Sequence, residues 1–224
     1  MSDDGLPTAD RETVRGALDG TDASGRSAPT VVGVLLAGGT SSRFGDANKL
    51  LATLDGEELV RHAARTLLGS GVPTVVAVLG HEAADVEAAL AGLDVRLVRN
   101  PEYEAGLSTS VARGVEAASD AGADAAVFLP GDMPRVDPAT VDLLLDAHRA
   151  GVGTALAAAC DGKRGNPVLF DREHFEALLA VEGDVGGRPV LVGSGGGALV
   201  ETGDPGVVVD VDTTDDLEPA TPCP

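Results

Sequence analysis

Val31-Val32-Gly33-Val34-Leu35-Leu36-Ala37-Gly38-Gly39-Thr40-Ser41-Ser42-Arg43-Phe44-Gly45, followed by Asn48-Lys49-Leu50-Leu51, is the stretch that sets the fold. Its opening is apolar and valine-rich, with no polar alternation, and it ends abruptly in glycines. That is the signature of a strand buried on both faces. Working outward, Thr74–Leu79, Val95–Val98, Ala125–Leu129, Thr154–Ala159, Pro167–Phe170 and Val207–Val211 carry similar short apolar runs and read as further strands. Between them, Glu57–Leu68, His81–Ala91, Leu107–Ser119, Pro138–Ala150 and His174–Leu179 show helical spacing; Pro138 stands at a first turn, where its missing N–H is harmless. Gly193–Gly197 and Gly203-Asp204-Pro205-Gly206 read as loops. Strands alternating with helices predict an α/β fold: one Rossmann-like domain, three αβα layers around a mostly parallel sheet. The ligands of such sheets sit beyond the carboxyl ends of the strands, and the chemistry is sought there.

Beyond the first strand, Gly38 and Gly39 let the backbone approach a polyphosphate closely, and successive N–H groups form an anion nest. Arg43 offers a planar fork to phosphate oxygens and Lys49 a point charge. The chain has only two lysines, Lys49 and Lys163, so a lysine at this place is informative. The stretch is neither a Walker A loop nor a G-x-G-x-x-G fingerprint, which argues against a dehydrogenase.

Beyond the fourth strand, Pro130-Gly131-Asp132-Met133-Pro134 presents Asp132 beside that cradle. Mg²⁺ takes one or two protein carboxylates together with substrate phosphates, so Asp132 is the candidate metal ligand. Asp210 and Asp184 are the candidate partners, Asp210 ranked first. Asn100, Gly106 and Ser108 open a helix with hydroxyl caps and are candidates for contacts to a base or ribose. The four histidines share no spacing and read as surface or boundary residues.

The formal net charge is −20. Such a surface repels nucleic acid and anionic membranes, so neither is an expected partner. It also repels itself unless salt shortens the reach of each charge, from about 10 Å at 0.1 M to about 3 Å at 1 M. A high-salt (halophilic) cytoplasm is the expected setting. No apolar run approaches the roughly 20 residues that cross a bilayer, and MSDDGLPTAD has no secretory-signal character. Cys160 and Cys223 form no C-x-x-C pair, which suits a reducing compartment. Residues 1–29 read as a flexible acidic tail with a possible short helix at Asp10–Leu18, residues 30–218 as the domain, and 219–224 as a second tail.

These motifs together resemble the MobA-like nucleotidyltransferase family, over about Val31 to Leu217. The resemblance is carried by Leu36-Ala37-Gly38-Gly39 with Ser41, Arg43 and Gly45; Asn48-Lys49-Leu50-Leu51; Asn100 with Gly106-Leu107-Ser108; and Gly131-Asp132-Met133-Pro134. Gly165-Asn166-Pro167-Val168-Leu169-Phe170, Gly183-Asp184-Val185-Gly186 and Asp210-Val211-Asp212-Thr213 continue it. The later motifs look like the cytidylyltransferase (MocA-like) branch, whereas Gly38-Gly39 looks like the guanylyltransferase branch. The resemblance implies a fold of the nucleotide-diphospho-sugar transferase type. It also implies an Mg²⁺-dependent enzyme that transfers NMP from CTP or GTP to the phosphate of molybdopterin, with a molybdoenzyme as a possible partner. Arg43, Lys49 and Asp132 are then catalytic, and Leu36, Ala37, Gly38, Gly39, Ser41, Ser42, Asn100, Gly106 and Ser108 hold the nucleotide. A sugar phosphate or cobamide precursor as acceptor, and a non-enzymatic nucleotide-binding delivery protein, are the alternatives.

Overall fold

The computed structural model describes residues 5–21, 29–40 and 48–217. Its centre is an eight-stranded sheet in the order β1-β10-β8-β9-β7-β2-β5-β6. These are β1 (Thr8–Ala9), β2 (Val31–Ala37), β5 (Thr74–Leu79), β6 (Arg96–Arg99), β7 (Ala125–Pro130), β8 (Ala155–Cys160), β9 (Lys163–Asp171) and β10 (Gly197–Glu201). All neighbours are parallel except β9, which runs antiparallel to both β7 and β8. The helices are α1 (Arg11–Thr21), α2 (Leu59–Leu68), α3 (Ala83–Ala89), α4 (Leu107–Asp120), α5 (Pro138–Arg149), α6 (Phe175–Leu179) and α7 (Arg188–Gly193). No helix among the described residues is long and apolar enough to cross a membrane.

Alternation along the strands splits the core into two layers. Val31, Leu35 and Ala37 of β2 share one cluster with Ala63 and Leu67 of α2 and Leu144 of α5. Val32 and Val34 join Val115 of α4, Leu178 of α6 and Leu191 of α7 on the other face. Both faces of the central strands are therefore sealed, as the unbroken apolar runs require. The three-layer α/β architecture expected from the sequence is the one observed.

Four expectations need correction. Residues 5–21 are not a tail: Thr8–Ala9 pair with Leu199–Val200 at the sheet edge, and α1 packs on α5 with Val14 only 1% exposed. Removing an aliphatic side chain from water contributes roughly 1.5–3 kcal/mol, and both nitrogens of an Arg11 fork donate to Thr202 O at 2.9 and 3.2 Å. The helix expected from Glu57 begins at Leu59, because Glu57–Glu58 form β4 against β3 (Thr53–Leu54). Asp55 and Gly56 both have positive φ there, the two-residue turn that suits a tight hairpin. The late strand expected at Val207–Val211 is instead a 3-10 turn over Pro205–Val208, capped by Asp204 Oδ1, which accepts from Gly206 N at 2.8 Å. Finally, Gly197–Glu201, masked in the sequence by its glycines, is the strand that pairs with β8.

Candidate active site

The tips of β2 and β7 leave the sheet together. Leu36 pairs with Pro130, and Gly131 N donates to Leu36 O at 2.9 Å. The chain after β7 then carries Asp132, whose backbone oxygen accepts from Val211 N at 2.9 Å. That bond brings in the segment holding Asp210 and Asp212. Lys49 opens a short 3-10 turn, Lys49–Leu51, capped by the Asn48 side chain and pinned by Leu50, which is 4% exposed in the core. Three separate pieces of chain thus meet at one point.

At that point Lys49 Nζ lies 2.6 Å from Asp132 Oδ2 and 2.8 Å from Asp212 Oδ1. Asp132, Asp210 and Asp212 each offer an oxygen within 4.8 Å of the others. Burial alone would pull the Lys49 ammonium down, but Asp132 and Asp212 outweigh it and hold its pKa above the ordinary lysine value. One ammonium against three carboxylates leaves a net deficit of two positive charges. With donors that are all oxygen, the cluster suits a hard divalent cation.

Asp212, which stands in this group, is not among the metal candidates that the sequence offers, Asp132 with Asp210 and Asp184. No spacing rule separates it from the other acidic residues of this chain. Its place is set by Asp216, whose Oδ2 accepts from Asp212 N (3.1 Å), Thr213 N (2.8 Å) and Thr213 Oγ1 (2.8 Å). The Thr213 contacts, chiefly the hydroxyl, hold the Asp216 carboxyl below the usual carboxylate range. Asp184 lines the same cleft but stands outside the group of three; its Oδ1 accepts from Leu107 N at 3.3 Å, at the start of α4.

The cleft has a volume of about 720 Å³. Leu36, Gly38, Gly39 and Gly106 line it, while Ala37 faces the core beneath. A Cβ on Gly38 would stand 2.8 Å from Ser110 Oγ and would turn that hydroxyl away from Asn100 Nδ2, which it meets at 3.0 Å. Ser41, Ser42 and Arg43 lie outside the described residues. Asn100 supports the site from behind and does not line it. It is 2% exposed; its Nδ2 donates to Thr109 Oγ1 (2.8 Å) and Ser110 Oγ (3.0 Å), and its Oδ1 accepts from Glu102 N (3.0 Å). Ser108 is likewise buried, with its N–H on Gly183 O. No histidine lines the cleft among the described residues. His174 departs from the surface reading, being 8% exposed with Nε2 2.8 Å from Thr154 Oγ1.

A family model described as the MobA-like NTP transferase domain matches residues 33–198. The chain is 35% identical over 202 residues to Nicotine blue oxidoreductase of Paenarthrobacter nicotinovorans, a match spanning 84% of this chain and 95% of that protein. Among solved structures, a nucleotidyl transferase from Methanothermobacter thermautotroptrophicus has a TM-score of 0.72 at 28% identity, covering 84% of this chain and 94% of that one. A Mycobacterium tuberculosis protein in complex with manganese has a TM-score of 0.62 at 28% identity, covering 84% and 95%.

Proposed function

We propose, since this chain belongs to the MobA-like NTP transferase family, that it transfers the nucleoside monophosphate of CTP or GTP to the phosphate of molybdopterin and releases pyrophosphate. The observation that carries the reading is the meeting of Lys49 with Asp132, Asp210 and Asp212 at the mouth of a cleft whose floor is the glycine tip of β2. A phosphoryl-transfer site needs little covalent chemistry from the protein. It needs the reacting groups held in line and their charge neutralised.

In this reading the triphosphate lies over Gly38 and Gly39, with Ser41, Ser42 and Arg43 extending the cradle in sequence. Gly106 gives the nucleotide half its close wall, and Asn100 and Ser108 position α4 without touching the ligand. An oxygen of the acceptor phosphate attacks the α-phosphorus. The bond from that phosphorus to the bridging oxygen breaks, and pyrophosphate leaves with the electron pair. The Lys49 ammonium faces the α-phosphate and the leaving group. Asp132, with Asp210 and Asp212, would hold a divalent cation, Mg²⁺ in this proposal, which when bound supplies charge neutralisation at the phosphates. Asp184 serves the helix start and is not a ligand in this scheme. Removing one charge aimed at the transition state costs on the order of a hundredfold in rate. The enzyme would work in the cytoplasm and pass its product to a molybdoenzyme.

The test is pyrophosphate release by the purified protein with Mg²⁺ and each NTP in turn, with and without molybdopterin, in molar KCl. Asp132→Asn is expected to lose about a hundredfold in kcat/KM, and Asp184→Asn far less. No pyrophosphate with any pair of substrates would remove the reading. A sugar phosphate accepted in place of molybdopterin would keep the reaction and change the acceptor. A second reading, an oxidoreductase, is favoured by one observation: 35% identity across 95% of a relative named for that activity. Electron transfer from a reduced nicotinamide nucleotide to a dye, without pyrophosphate release, would select it.

A further inference from the structure

The polar side chains at the opening of α4 form a chain of hydrogen bonds that runs in one direction, from the backbone behind the cleft to its surface. Asn100 and Ser108 are turned inward, but Ser110 lines the cleft while only 4% exposed. The Glu102 backbone N–H can only donate, and it meets Asn100 Oδ1 at 3.0 Å. That contact fixes which way the amide points. Its Nδ2, a donor only, therefore faces Thr109 Oγ1 at 2.8 Å and Ser110 Oγ at 3.0 Å. Thr109 accepts this bond while giving its own hydrogen to Gly106 O at 2.8 Å. Ser110 also accepts from Asn100, but no acceptor for its hydrogen stands among the described residues. Gly106 O, the carbonyl that a helical serine at this place reaches four residues back, takes the Thr109 hydroxyl instead. A buried hydroxyl hydrogen left without a partner is a standing cost that a ligand oxygen removes.

The place of this hydroxyl is set by the strand tips. A Cβ on Gly38 would stand 2.8 Å from Ser110 Oγ and 3.5 Å from Gly80 N, so Ser110 lies where β2 and β5 end together. Tyr103, whose Cβ leaves no room for a side chain on Gly80, closes the cleft at this end. Asp132 lies on the other side of β2, past the tip of β7. A nucleotide with its phosphates at the carboxylate cluster therefore turns its base toward Ser110.

We propose that Asn100 fixes Ser110 as a hydrogen-bond donor to a ring carbonyl of the nucleobase, cytosine O2 or guanine O6, and thereby sets the choice against adenine. Adenine carries an amino group in place of the guanine carbonyl and has no other exocyclic oxygen, so it leaves the serine hydrogen facing a donor. Ser110 touches the base; Asn100 acts through it and is a positioning residue. The inference rests on the nucleotide half of the transferase reading and deepens it, because it assigns selectivity to a buried amide that the ligand does not reach.

The experiment measures Kd for CTP, GTP and ATP by calorimetry, with Mg²⁺ and no second substrate, so the readout needs no turnover. Wild type should bind CTP or GTP at least about tenfold more tightly than ATP. Ser110→Ala should weaken the preferred nucleotide about 3- to 10-fold and leave ATP within about twofold. Asn100→Asp puts an acceptor where the donor stood. The Ser110 hydrogen then turns to the carboxylate, its lone pair faces the cleft, and selectivity should move toward ATP by about tenfold or more. Equal or no loss for all three nucleotides in Ser110→Ala, or unchanged selectivity in a folded Asn100→Asp, overturns the assignment. If Asn100→Asp does not fold, Ser110→Ala decides alone. Selective binding by wild type that Ser110→Ala loses, with no pyrophosphate released in the presence of any second substrate, would remove the transferase reading and keep this one. No nucleotide bound by wild type ends it.

Discussion

Replacing Lys49 with methionine removes the one ammonium from among Asp132, Asp210 and Asp212 while keeping most of the side chain's volume. Two carboxylate oxygens no more than 4.8 Å apart repel by at least about 0.9 kcal/mol in bulk water and at least about 3.5 kcal/mol at an effective dielectric of 20. Asp132 is 18% exposed in its side chain and Asp212 35%, so the site lies between these limits. The lost Lys49 pairs place the destabilisation at about 1–2 kcal/mol, above a surface pair and below a buried one. The same change deepens the charge deficit that a divalent cation fills. Lys49→Met should therefore bind Mn²⁺ more tightly than wild type without nucleotide, by about tenfold, and gain about 1.4 kcal/mol more from saturating metal. Urea unfolding with and without Mg²⁺, and Mn²⁺ titration followed by electron paramagnetic resonance, measure both. Lys49→Met should also lose about a hundredfold or more in pyrophosphate release, so tighter metal binding accompanies lost turnover. Metal stabilising both proteins equally would show that the cluster is not a cation site, and unchanged kcat/KM would take Lys49 out of the mechanism.

Gly106→Ala forces an alanine to φ +114 with its Cβ 2.5 Å from the Gly183 carbonyl; a loss of about 1–3 kcal/mol in urea unfolding is expected, together with weaker nucleotide binding. The Asp216 carboxyl titrates below its ordinary 3.8 in the fold, so the stability it contributes is present above that value and is lost as pH falls through the folded pKa. Asp216→Asn should flatten that part of the acid unfolding profile and weaken Mn²⁺ binding at neutral pH by loosening Asp212. Lys49 has the opposite sign: its pKa is raised, so its contribution is constant up to about pH 10 and falls only above that, and no loss of stability between pH 6 and 9 should trace to it. With a formal charge of −20, Tm should rise from dilute buffer to molar KCl as self-repulsion is screened; an equal or higher Tm in dilute buffer would remove the high-salt setting.

What was legible in the sequence was whatever burial on two faces forces. Residues Val31–Ala37, Thr74–Leu79 and Ala125–Pro130 cannot sit anywhere but in the middle of a covered sheet, and they carry Gly38, Gly39 and Asp132 at their ends. The two-residue edge strand Thr8–Ala9 was not legible, because no periodicity exists over two residues, and the helix that carries Val14 packs on α5, more than a hundred residues away in the chain. Val207–Val211 misled for a related reason. Val207 and Val211 are fully buried, as a strand would have them, but Asp204, Pro205 and Gly206 spend the local backbone on a turn. Asp212 was hidden because its place depends on a turn bond to Asp216 four residues on, and on Val211 reaching back to Asp132 O, a segment far away in the chain.

The same long-range bonds explain why the carboxylates converge at all. Asp132 alone follows from β7, since any residue two positions past that strand tip emerges over the cleft. Asp210 and Asp212 belong to a segment with no strand to aim it. Their aim comes from three ties: Val211 N on Asp132 O, Arg135 Nη2 on Asp216 O at 2.8 Å, and Asp204 joining the Pro205 turn to Asp137 N and Thr140 Oγ1 at the start of α5. Two of those ties start in the Asp132–Val136 loop, and the third starts at the helix that follows it. The loop that carries the first carboxylate is thus also the scaffold for the other two, and a change in that loop should disturb all three together. The cradle glycines have no such dependence, because β2 is held by β5 and β7 on either side. Damage to Arg135 should therefore weaken metal binding while leaving the glycine tip in place, which separates the two halves of the site by their supports as well as by their chemistry.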